Sequence, residues 1–133
     1  MNQESKNAVM LVLCRKVIAK LLKEMIEKRT DATVFAEYDY KSVSSIASIR
    51  KPTLALVEIP ERHDSPALDA LDVCMDIKAA SPGCKIMLMC PERDKESVAV
   101  CEEAVKSGKV EDYVFFETSP EYLTSKLKTM LPA

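Results

Sequence analysis

The chain is poor in glycine, histidine and aromatic rings. Among 133 residues the only glycines are Gly83 and Gly108, 25 positions apart. A dinucleotide fingerprint or a Walker-type loop needs glycines a few residues from one another, because only bare backbone can approach a phosphate closely, so neither can be written here. His63 is the single histidine and no Cys-x-x-Cys pair exists, which removes the common zinc motifs. An excess of one charge is also missing. The 19 basic and 21 acidic residues leave a net charge of −2, which argues against gripping nucleic acid or an anionic membrane as the main work. Long apolar runs are absent too. The longest, Ala8 to Cys14, falls far short of the ~20 residues a membrane helix needs. The polar start, Met1 to Asn7, does not read as a signal peptide.

What remains is a composition of 47% hydrophobic and 30% charged residues, that of one folded domain spanning 1–133. A domain of this size buries very roughly two-thirds of its unfolded surface, enough for a real core. The five cysteines, Cys14, Cys74, Cys84, Cys90 and Cys101, are odd in number and irregular in spacing. They are expected to be reduced, buried thiols of a cytoplasmic protein.

Hydrophobic periodicity alternates between two patterns along the chain. Ala8 to Cys14 is a short continuous apolar run, suited to a strand buried on both faces. From Arg15 to Lys28 the period becomes helical, with Val17, Ile18, Leu21, Leu22, Met25 and Ile26 on one face. Thr33 to Glu37 reads as a second strand, Tyr40 to Ile49 as a weak serine-rich helix, and Thr53 to Glu58 as a third strand. Ser65-Pro66 has the form of a helix start, followed by a stripe of Leu68, Leu71, Cys74, Met75 and Lys78. Lys85 to Met89 gives a fourth strand. Asp94 to Ser107 gives a helix with Val98, Cys101, Ala104 and Val105 inward, and Gly108 falls where a left-handed C-terminal cap belongs. Asp112 to Phe116 is a fifth strand, and Ser119-Pro120 opens a last helix with Leu123, Leu127 and Met130 inward. Five alternations of strand and helix predict an α/β fold with a parallel, doubly wound sheet covered on both faces. In such sheets function gathers at the carboxyl ends of the strands. These ends carry Leu13, Cys14, Arg15, Glu58, Met89, Cys90, Phe116 and Glu117.

The ordered segments resemble a response-regulator receiver domain over nearly all of residues 7 to 131. The segment Glu111-Asp-Tyr-Val-Phe-Phe116, followed by Thr118-Ser-Pro-Glu-Tyr-Leu123, is similar to that family's ending. Leu54 to Ile59 resembles its third strand, Ile86 to Met89 its fourth, and the 44-residue separation of Cys14 from Glu58 also suits it. The resemblance implies a flavodoxin-like, five-stranded sheet in the order 2-1-3-4-5. It also implies phosphoryl transfer to an aspartate, assisted by two acidic metal ligands, a Thr or Ser, and a lysine.

At every one of those positions this chain differs. Leu13 and Cys14 match the acidic pair, Glu58 the phosphorylated aspartate, Met89 (or Cys90, one residue on) the Thr/Ser, and Phe116 the lysine. Neither Leu13 nor Cys14 offers oxygen to a hard magnesium ion. The implied module is therefore a degenerate receiver that acts through protein contacts and is not phosphorylated by the usual route. It has no catalytic residue, no bound metal and no cofactor. Its partner is a signalling protein, such as a histidine kinase or an output domain, or a second copy in a homodimer; neither nucleic acid nor membrane is expected. Two alternatives stay open. One is a working phosphorelay receiver with displaced metal chemistry at Glu58, where Glu61, Asp64, Glu92, Asp94 and Glu117 also gather. The other is a small enzyme with Cys14 as nucleophile, against which stands the reading of Cys14 as a buried structural thiol. Glu58 itself reads either as a mimic of the phosphorylated state or as the salt-bridge partner of Arg15, Arg62 or Arg93. Phe116 is expected to plug the pocket with Leu13, Cys14 and Met89, turning Glu58 outward to water or to an arginine. Tyr113 matches the family's switch aromatic and is expected to pack against the fourth helix.

Overall fold

The computed structural model describes residues 7–60 and 66–132. Its elements are β1 (Ala8–Val12), α1 (Lys16–Arg29), β2 (Thr33–Glu37), α2 (Val43–Arg50), β3 (Leu54–Glu58), α3 (Pro66–Ala80), β4 (Lys85–Cys90), α4 (Lys95–Lys106), β5 (Asp112–Phe115) and α5 (Pro120–Met130), with a 3-10 turn at Tyr40–Ser42 leading into α2. The strands form one parallel sheet in the order β2-β1-β3-β4-β5. The expected helix start at Ser65 and the side chain of Leu68 lie outside the described residues, as do Glu61, Arg62, His63 and Asp64.

Alternation along each strand divides the interior in two. Val9, Leu11, Leu13, Leu54, Leu56, Met87 and Met89 pack beneath α1 and α5. Met10, Val12, Ala55, Val57, Ile86, Leu88 and Cys90 pack beneath α2, α3 and α4. By the same alternation Glu58 falls on the α1/α5 side with Leu56, whereas Cys90 falls on the other.

Local chemistry sets the element ends. Asp94 caps α4 by accepting the Ser97 N–H, and Ser119 caps α5 by accepting the Tyr122 N–H, with Pro120 in the first turn. Gly108 takes φ +81° after α4. There the Gly108 N–H bonds the Val105 carbonyl and the Lys109 N–H bonds the Ala104 carbonyl, the paired bonds of a Schellman ending. Lys51 takes the left-handed conformation at the end of α2 without being glycine, and its ammonium reaches the Ala80 carbonyl at 2.9 Å. Among the described residues no helix is long and apolar enough to cross a membrane.

The α1 face differs from the sequence expectation. Val17 is 80% and Leu21 39% exposed, while Ala19, unmarked by hydrophobicity, is fully buried. With Leu22 facing the core, a 100° step per residue places Ile18, Ala19, Met25 and Ile26 within about 60° of it, Leu21 about 100° away and Val17 about 140° away. The apolar run is wider than the face the sheet can cover. Leu22→Ala is expected to cost about 2–5 kcal/mol, as for a core leucine, and Val17→Ala less than about 0.5 kcal/mol. Denaturant melts of the two variants check the assignment, and equal losses would contradict it.

Candidate functional site

The strand order reverses between β1 and β3, so the crevice at their carboxyl ends is the natural site in this sheet. Its centre is Glu58, the last residue of β3. Of the two outcomes expected, water or an arginine, the side chain is not turned out to water: Glu58 is 3% exposed. An ionised carboxylate is costly to bury unless it is paired and hydrogen-bonded. Here it is both. One oxygen accepts the Cys14 backbone N–H at 2.9 Å. The other accepts the Arg15 Nε–H at 3.0 Å, closing an ion pair.

Arg15 is the residue that organises the pocket. It is the N-cap of α1, in extended conformation, without a side-chain cap of its own. Its guanidinium therefore leaves the helix start and lies across the strand ends. Nη2 points at the Met89 sulfur at 3.4 Å, and the guanidinium carbon sits 4.6 Å from the centre of the Phe116 ring. Phe116 packs against the apolar cluster that contains Leu13 and Met89. The hollow is thus filled by an arginine sandwiched between a carboxylate and an aromatic face, with a half-exposed outer edge. The ring contributes through cation–π attraction, and the planar guanidinium suits both neighbours. Of the three arginines the sequence offered, Arg15 holds Glu58.

Cys14 corrects a second expectation. Its thiol is exposed, not buried. β1 ends at Val12, Leu13 stays fully buried, and the chain then turns so that the Cys14 N–H serves Glu58 while its side chain faces out. The sulfur lies 3.5 Å from the Tyr40 hydroxyl. Tyr40, which sequence reading marked only as a helix start, ties two strand ends together. Its hydroxyl donates to the Glu58 carbonyl at 2.6 Å, with the Val12 carbonyl 3.2 Å away. The only signal for it in the sequence was an aromatic with a polar tip soon after a strand.

Tyr113 is partly buried on β5. Its hydroxyl donates to Glu102 of α4 at 3.3 Å and its ring meets Phe115 edge-to-face at 5.8 Å. Burial, and then the Glu102 carboxylate, push the Tyr113 hydroxyl above its ordinary pKa. Among the described residues, the other strand-end acids do not converge on Glu58. Asp94 is engaged with Ser97, whose hydroxyl holds its carboxyl below the usual value, while Glu92 and Glu117 are exposed. Among the described residues no group of three or more His, Cys, Asp or Glu side chains is arranged to hold a metal ion.

The magnesium ion implied by the receiver resemblance does not fit these residues. Leu13 is hydrocarbon, Cys14 is a soft sulfur facing outward, and each Glu58 oxygen already accepts an N–H. A divalent ion at Glu58 would also meet the guanidinium that is 3.0 Å from the carboxylate.

Comparison with solved structures gives the class to which this architecture belongs. No family model and no curated protein matches the chain. A response regulator from Thermotoga maritima superposes with a TM-score of 0.74 at 19% identity, over 93% of this chain and 96% of that one. The signal receiver domain of a putative Luxo repressor protein from Vibrio parahaemolyticus gives 0.74 at 16%, over 93% and 88%. A response regulator protein from Burkholderia pseudomallei, solved with a phosphorylated aspartic acid, a calcium ion and citrate, gives 0.72 at 18%, over 93% and 68%. The fold of this chain is the receiver fold.

Arg15→Ala leaves a buried carboxylate without its cation and is expected to lower stability by about 1–3 kcal/mol. Adding Glu58→Leu should recover part of that loss, since an apolar residue no longer needs the pair. A double-mutant cycle by chemical denaturation measures the coupling, and additive losses would refute the pairing.

Proposed function

We propose that this chain is a receiver-like signalling module that works by protein–protein contact, and that its Glu58 is not phosphorylated by the usual route. The observation that carries the reading is the Arg15 guanidinium on Glu58. In a phosphoryl-transfer site the cations stabilise charge that develops on the transferring group. Here a cation facing the carboxylate, Arg15, neutralises it in the resting state, inside the same fold. The Burkholderia pseudomallei neighbour holds a phosphorylated aspartate and a calcium ion; this chain offers a longer acid, an arginine and a phenylalanine in that region.

The residues read as the degenerate pocket, Leu13, Cys14, Glu58, Met89 and Phe116, then serve as a fixed joint between β1, β3, β4 and β5. Tyr113, bonded to Glu102, fastens β5 to α4. A module of this kind presents one standing surface to a signalling partner, such as a histidine kinase or an output domain, or to a second copy. The chain acts as one receiver-like domain, in the cytoplasm, and is not an enzyme. Cys14 has no phosphate-cradling loop after it, only the start of α1, and the neighbouring guanidinium is committed to Glu58 and Phe116.

The test is exposure to acetyl phosphate, and separately to beryllofluoride, with magnesium, followed by intact mass and fluorine NMR. The chain is expected to gain no phosphoryl mass and to bind no beryllofluoride. Magnesium-dependent labelling of Glu58 would overturn the reading in favour of a working phosphorelay receiver.

A further inference from the structure

Charge is unevenly divided along the chain. Between residues 15 and 51, nine basic and five acidic residues leave +4, whereas between 52 and 133 nine basic and fifteen acidic residues leave −6. Two helices carry the extremes. α1 holds five basic and two acidic residues, and α3 holds three aspartates and one lysine. They lie on opposite sides of the sheet, since Ala19, Leu22 and Ile26 of α1 pack in one core and Ala70, Cys74 and Ile77 of α3 in the other.

The outward face of α1 holds Lys16, Val17, Lys20, Leu21, Glu24 and Lys28, all exposed, and the helical step places them within about 140° of one another. Glu27 shares that side but is already bonded to Lys23 and to the Val34 N–H. Among the described residues Lys16, Lys20 and Lys28 have no ion-pair partner. Two aliphatic side chains one helical turn apart, set among unpaired lysines, have the make-up of a contact with an apolar centre and a charged rim. On α3 the exposed Asp69, Asp72 and Asp76 fall within about 60° of one another and also have no ion-pair partner among the described residues. The half-buried Val73 and Met75 flank them.

We propose that the outward face of α1 is a docking surface whose occupant is α3 of a second copy of this chain, with Lys16, Lys20 and Lys28 against Asp69, Asp72 and Asp76 around Val17 and Leu21. Charge complementarity selects the occupant. The two faces cannot meet within one chain, because the sheet separates them. A symmetric contact of α1 on α1, or of α3 on α3, sets like charges against each other, which leaves the head-to-tail arrangement. The helices also match in length: α1 has 14 residues and α3 has 15, so each is about 21–22 Å long. Because the faces are on opposite sides, each added copy leaves one α1 and one α3 free, and the contact does not close at two chains. One helix on another buries less than a standard interface, so the association is weak and screened by salt.

This inference deepens the reading of the chain as a contact module, and rests on it, by naming one partner and the surface that meets it. The two fail separately. A chain that never self-associates strikes this contact and leaves the acetyl phosphate result at Glu58 untouched, and labelling of Glu58 leaves the charges of α1 and α3 as they are.

The experiment follows the full chain by sedimentation velocity up to about 500 µM, a range that reaches weak contacts, at about 20 mM and about 500 mM salt. The average mass is expected to rise with concentration past two chains at low salt and to return to the monomer at high salt. Two double variants, Lys20→Glu with Lys28→Glu and Asp72→Lys with Asp76→Lys, should each stay monomeric, and their equimolar mixture should associate again. In a mixture of 14N and 15N natural chains, a zero-length carbodiimide should join α1 lysines to α3 aspartates between chains, which decides the matter even if a variant fails to fold. A monomer at every concentration in low salt overturns the proposal and points to a partner other than a second copy. A mass that stops at two chains, association that persists in either double variant or strengthens with salt, or cross-links that do not join α1 to α3 overturn it equally.

Discussion

A carboxylate at the end of a buried strand must be neutralised or the strand end cannot close. Much at this end of the molecule follows from how that demand is met at Glu58. The strand is fully buried throughout its length, so water is not available to the side chain. The compensation comes from the first residues after β1. The Cys14 N–H and the Arg15 guanidinium reach the two oxygens, and to do so the chain must leave the sheet after Leu13 and start α1 at Lys16. Phe116 and Met89 line the remaining sides of the guanidinium. Four strand ends are joined by one arginine, and a fifth contact, Tyr40 on the Glu58 carbonyl, closes the joint from the far side.

This arrangement gives a coherent account of the residues at the strand ends. Leu13 suits a position sealed beneath α1, and Phe116 suits a guanidinium better than a lysine would, because two cations at this point would repel. Glu58 has a longer reach than aspartate, which lets it meet a backbone N–H and a guanidinium together. Arg15 thus packs Glu58, Met89 and Phe116 into one connected set at the strand ends of this fold.

The architecture was legible in the sequence because its cause is periodicity. β2 matches its expected span, the order of elements is as read, and Gly108 takes the left-handed cap its place suggested. Errors arose where periodicity is silent. The apolar run Ala8 to Cys14 was read as buried to its end, but a run of letters does not mark where the backbone turns, and Cys14 faces out. On α1 the run of apolar residues is broader than the contact, so Leu21 was placed inward and Ala19 was overlooked. Arg15 could be named only as one of three arginines near the site, since the choice depends on which loop the strand order brings to Glu58.

The central claim is that the receiver position carries its own cation in Arg15. The most direct measurement is an amide-resolved NMR titration with magnesium, following the Cys14 and Glu58 backbone signals and the Arg15 Nε–H signal. The account predicts a slowly exchanging Arg15 Nε–H signal that persists through the titration, with no saturable shift at Cys14 or Glu58. Saturable magnesium-induced shifts at those two amides, with loss of the Arg15 Nε–H signal, would contradict it.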